Sequence, residues 1–151
     1  MKKYLLFLLI SVFTIGLTSC SDDDEPAADP RDQYVGTWNN NQVGSLTLFQ
    51  NGTSVGTVAI DTSYTVLIKK SGNKNLIIDD KLFFVNDKNL SSDPESISQT
   101  FDGGNLVGTS TASGTLSNNI ITIKISFTGT WSNTFGASGN FSGTEVATLR
   151  R

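Results

Sequence analysis

The stretch SNNIITIKISFTGTW, Ser117 to Trp131, decides the architecture. Ile121, Ile123, Ile125, Phe127 and Trp131 fall on one face, with Thr122, Lys124, Ser126, Thr128 and Thr130 on the other. That period of two predicts a long strand with one buried side. Asn118-Asn119 serves as a two-residue hairpin turn, because asparagine tolerates positive φ. Folding the chain back about that turn sets Leu116 opposite Ile121, Gly114 opposite Ile123, Ala112 opposite Ile125 and Ser110 opposite Phe127. Gly108 then meets Gly129, and Leu106 meets Trp131. Small residues lie beside large ones throughout. A slip by one residue would instead bring Thr109, Thr111 and Thr115 against the isoleucines.

The same grammar extends toward the N-terminus. Asn51-Gly52 lies between the β-like segments Ser45–Gln50 and Val55–Asp61, and Asn-Gly is a strong hairpin signal. Ser63–Lys70 reads as a further strand ending in a Ser71-Gly72-Asn73 turn. Asn75–Ile78 and Leu82–Val85 form a pair joined through Asp79-Asp80-Lys81. In the less regular segment 86–105, Asp93-Pro94-Glu95 predicts one helical turn, with Asp93 as its cap. Residues Phe135–Leu149 supply one or two closing strands.

Seven of the fourteen glycines precede threonine, at Gly36, Gly52, Gly56, Gly108, Gly114, Gly129 and Gly143, without a fixed period. Threonine suits a pleated surface, and glycine lets a strand bend or another backbone approach. Curled sheets need such bends. The expectation is an all-β chain of about eight to ten antiparallel strands in an up-and-down barrel. A two-sheet sandwich is the alternative.

The first residues read differently. Lys2 and Lys3 precede the apolar run Leu5–Ile15, which is too short for a membrane span, and Leu17-Thr18-Ser19-Cys20 follows. That ending resembles a bacterial lipobox. The resemblance implies a signal peptide over residues 1–19 and lipidation of Cys20, the only cysteine; an ordinary secretory signal is the alternative. Residues 20–32 carry an acidic run and two prolines, which describes a disordered tether. The run resembles the surface-export signal of Bacteroidetes-type lipoproteins. It implies an outer-membrane protein displayed at the cell surface, or one facing the periplasm if the acid merely solvates the tether. The membrane would then be a partner through the lipid on Cys20.

From Gln33 onward, residues 33–151 hold eight basic and eight acidic side chains, so the domain is near neutral. It has no basic stripe to follow phosphates, and a nucleic-acid partner is not expected. Histidine is absent from the chain. Histidine-dependent nucleophilic catalysis and Cys/His metal sites are therefore closed to it, and no cofactor fingerprint or metal site is expected. Asp79 and Asp80 resemble a glycosidase pair only superficially, because adjacent residues at a turn diverge. Asp102 lies in a glycine-rich turn that lacks the alternating acids of a calcium loop. No catalytic residue is assigned, and no enzyme activity is expected.

YVGTW, Tyr34 to Trp38, carries a wider likeness. Gly36-Thr37-Trp38 on the first strand resembles the G-x-W motif of the calycins, the superfamily of the lipocalins. The Ser98–Trp131 pattern is similar to lipocalin-like domains of small bacterial lipoproteins. The likeness implies a barrel whose end is closed by Trp38, with Arg150 or Arg151 laid over the indole. It also implies a non-enzymatic binding or accessory module for a small apolar or glycan-type ligand, or for a partner protein. A structural or inhibitory protein with a filled barrel is the other reading. Alternation sends Phe83 and Phe84 to opposite faces, which makes the exposed member a candidate ligand or partner contact.

Overall fold

The computed structural model describes residues 29–101, 103–117 and 119–151. Its framework is a set of hairpins made at short turns. β1 (Gly36–Gln50) and β2 (Thr53–Ser71) meet at Asn51-Gly52, where φ is 50° and 79°, the left-handed values that a two-residue hairpin needs. β3 (Asn75–Ile78) and β4 (Lys81–Asn86) turn at Asp79-Asp80, with φ of 52° and 59°. β5 (Asn89–Ser91) follows a turn at Asp87, and β6 (Glu95–Phe101) turns at Gly103 into β7 (Gly104–Ser117). β8 (Ile120–Asn133) and β9 (Ser138–Arg150) are joined at Asn133, whose side-chain oxygen accepts from the amides of Phe135 and Ala137 at 3.0 and 2.9 Å.

The register deduced for β7 and β8 is the one observed, from Leu116 opposite Ile121 through Gly108 opposite Gly129 to Leu106 opposite Trp131. Asn118 itself lies outside the described residues. The segments Val55–Asp61 and Ser63–Lys70 are parts of one strand, β2. The closing region is the single strand β9.

The helical turn expected at Asp93-Pro94-Glu95 is not there. Residues 92–94 carry no regular secondary structure, and β6 begins at Glu95. Pro94 suits extended backbone as well as a first helical turn. The segment connects two strands on the same edge of β7, which is long enough to pair with β5 and β6 end to end. Ser92 bridges the interruption, its amide donating to Ala112 O and its hydroxyl accepting from Ala112 N.

All the strands are antiparallel, and β1 pairs with both β2 and β9. Because β5 also pairs with β4, the sheet closes into a ring. The meander is therefore a closed, barrel-like all-β fold, with no exposed edge at its closed end.

Closure is incomplete along the barrel axis. β2 is bonded to β3 only over Ile68–Ser71, opposite Asn75–Ile78. Over its first part, paired on one side with β1, the other edge of β2 has no strand partner among the described residues, nor has the outer edge of β6. The barrel is thus sealed at one end and split at the other, between β2 and β6.

The sealed end holds one apolar cluster, with Trp38, Ile68, Leu76, Ile121 and Leu149 its most deeply buried members. A second cluster, Phe127, Trp131 and Phe141, lies toward the split end and is flanked by half-buried Leu46, Leu106 and Ile97. Trp131 also donates from its indole to Phe49 O at 3.1 Å. The chain before the barrel docks on it from Asp29, ahead of the Gln33 boundary read from composition. Arg31 binds Asp29 at 2.6 Å and donates to Gly72 O and Asn75 O, and Lys70 pairs with Asp32 at 2.5 Å. These cations hold Asp29 and Asp32 against the barrel.

Candidate functional site

Where the barrel splits, its inner face is open to solvent in a cleft of about 490 Å³. Each wall strand contributes inward-pointing apolar side chains: Leu46 from β1, Ile60 from β2, Ile97 from β6, Leu106 from β7, and Phe127 and Phe141 from β8 and β9. Alternation dictates this, since Leu46 shares its parity with Trp38, and Phe141 shares its parity with Leu149. The volume falls in the range of small-molecule sites.

The floor is polar. Gln42 Nε2 donates to Glu145 Oε1 at 2.5 Å. Tyr64 donates its hydroxyl to Asp79 Oδ2 at 2.7 Å, with Gln42 Oε1 3.3 Å away. Lys81 pairs with Glu95 at 2.9 Å and reaches the Ser110 hydroxyl at 3.3 Å. Burial raises the Glu145 carboxyl above the usual range, an effect that the Gln42 amide partly offsets. Burial, then the Asp79 carboxylate, pushes the Tyr64 phenol up to about 12.

Beneath the floor lies a smaller chamber of about 90 Å³, bounded by Asn40, Tyr64, Val66, Ile78 and Phe83. It shares Gln42, Asp79, Lys81 and Ile125 with the cleft, so the two adjoin. Asn40 is only 5% exposed, and its Oδ1 has no hydrogen-bond partner among the described residues.

The residues singled out from sequence are spread over the molecule. Trp38 is fully buried at the sealed end and donates to Tyr34 O at 2.8 Å. The Arg151 guanidinium lies 4.9 Å from the centre of its ring and also binds Val35 O. Arg150 instead lines the outer surface beside Asn39 and Thr148. Phe83 is 2% exposed and bounds the chamber, whereas Phe84 is 39% exposed on the outer face with Leu82. Asp79 faces the cleft, and Asp80 is exposed at the turn. Cys20 and Asp102 lie outside the described residues.

The cleft floor was not found by scanning for motifs. Its signal is nevertheless present: Asn40 and Gln42 interrupt an inward apolar series that begins at Trp38, and Glu145 interrupts the series Phe141, Ala147, Leu149. Polar residues at core parity, on neighbouring strands, mark the same level of the barrel. Among the described residues no three His, Cys, Asp or Glu side chains come together as a metal site. Comparison of the chain with protein-family models, with curated proteins and with solved structures finds no match.

Proposed function

We propose that this is a lipid-anchored, lipocalin-like binding module of the outer membrane that accepts a small, largely apolar ligand in the cleft between β2 and β6. The observation that carries this reading is the cleft itself: about 490 Å³, apolar on its walls and furnished with convergent polar groups on its floor. A barrel serving only as a spacer would be stabilised by filling that space with side chains, as the sealed end does. The sealed half is the scaffold, and the open half is the site. The protein works by holding a molecule rather than transforming it, displayed from the membrane by the lipid on Cys20.

Titration with N-phenyl-1-naphthylamine, a neutral apolar fluorophore, tests the site. Saturable binding at one molecule per chain is expected, and Ile60→Trp should weaken it about tenfold by filling the cleft. Absence of binding, or binding unaffected by the tryptophan, would refute the reading. The anchor is tested separately, since Cys20→Ala should release the protein from the membrane fraction.

A further inference from the structure

We propose that the chamber beneath the cleft floor is a headgroup subsite for a protonated amine, so that the ligand is an amphiphile with an ammonium end. The proposal rests on the cleft being a ligand site and adds the chemistry of its deep end.

Three observations converge there. The first is the imbalance of hydrogen-bonding groups. Asn40 Oδ1 is a buried acceptor without a partner among the described residues, and it bounds a chamber with room for a small polar group. Leaving an acceptor buried and unpaired is costly, so a donor at this place would be recognised strongly.

The second is the charge around the entrance. Asp79, Glu95 and Glu145 line the cleft with a single cation, Lys81, and that lysine is committed to Glu95 at 2.9 Å. Among the described residues neither Asp79 nor Glu145 pairs with a lysine or arginine. Their neutral neighbours satisfy them only in part: Tyr64 donates to Asp79, and Gln42 donates to Glu145. Burial already disfavours the ionised form of Glu145, and a cation beside it would reverse that.

The third is adjacency. Gln42, Asp79 and Ile125 border both spaces, so a head seated in the chamber would direct its apolar body along Ile125 toward the cleft. A neutral hydroxyl would satisfy Asn40 but leave both carboxylates uncompensated. A carboxylate head would face Asp79, with Glu145 in the adjoining cleft, and only Lys81, already paired with Glu95, would favour it.

The test compares hexylamine, hexanol and hexanoate, which share a tail and differ in head, by calorimetric titration of the protein at neutral pH. Hexylamine should bind about tenfold more tightly than either of the others. Asp79→Asn combined with Glu145→Gln keeps the acceptors that Tyr64 and Gln42 use while removing both charges. That variant should bring hexylamine down to the level of hexanol. Asn40→Leu should weaken hexylamine while leaving the melting temperature within about 3 °C, because the unpaired group disappears with the side chain. Equal affinity for all three heads would overturn the ammonium subsite and leave the cleft reading standing. Preference for hexanoate would overturn it in favour of Lys81 as the recognising group. Binding of none of them would remove the subsite and the cleft reading together.

Discussion

Gly129→Ala tests the packing that shapes the cleft. Gly129 and Gly108 face each other across β7 and β8, and the ring of Phe141 lies over the pair. A methyl built on Gly129 would stand 2.7 Å from Phe141 Cε1 and 2.5 Å from the Gly108 Cα, with Val107 O closer still. Ordinary carbon contacts lie near 3.5–4.0 Å, so the ring must retreat by roughly 1 Å and the strands must part locally. Overpacking of this kind costs about 1–3 kcal/mol. For a domain of this size that is a fall in melting temperature of roughly 4–12 °C, read by circular dichroism. Phe141 also lines the cleft, so binding of the apolar fluorophore should weaken in parallel. The double variant Gly129→Ala/Phe141→Leu should lose less than the sum of its parts, because leucine vacates the contested space. Gly56→Ala supplies the contrast, with nothing within 4 Å of the added methyl and no positive φ. It should be neutral or slightly stabilising. A Gly129→Ala variant that melts within roughly 2 °C of the wild type would show that the site has room for a methyl and overturn this packing.

Arg151→Ala should lower stability by about 0.5–1 kcal/mol through loss of the guanidinium over Trp38, while Arg150→Ala should be silent in the same chemical-denaturation measurement. Equal effects of the two would contradict the arrangement. Glu145 has a folded-state pKa above its ordinary value, so its contribution is fully present below about 4.5 and is lost as pH rises through the raised value. Glu145→Gln should therefore gain stability relative to the wild type between pH 4 and pH 7, with Asp79, Lys81, Glu95 and Tyr64 unchanged around it. Thermal melts across that range check the sign, and a variant that loses ground as pH rises would reverse it. Asp29 is held well below the usual carboxylate range, first by Arg31 and then by Lys70, so its contribution is present above about 3.8 and lost as pH falls further. Asp29→Ala should flatten that acid limb in melts below pH 4, and an unchanged limb would assign it to other carboxylates.

The register of β7 and β8 was legible because bulky residues alternate with threonine on one strand and face small residues on the other, which leaves a single parity that buries the isoleucines. The turns at Asn51-Gly52 and Asp79-Asp80 were legible because few residue types tolerate positive φ. The non-helical Asp93-Pro94-Glu95 segment was not, since a capping sequence and a break between two strands on one edge use the same residues. What decides between them is the length of β7, a non-local fact. The split was hidden for a related reason. It arises because β3, β4 and β5 are short beside the 19 residues of β2, so pairing runs out before the barrel does. Trp38 and Phe83 were conspicuous by type, whereas Asn40, Gln42 and Glu145 matter by parity. Their role emerges only once the strands are laid side by side.

A binding module carries its ligand in use. Protein purified gently from the cell that makes it, without delipidation, should be weighed by native mass spectrometry. A non-covalent adduct at one copy per chain is expected, in addition to the mass of the polypeptide and any covalent lipid. The adduct should be lost or sharply reduced in Ile60→Trp. Wild-type protein that is consistently free of adduct, or an adduct indifferent to the filled cleft, would contradict the binding reading.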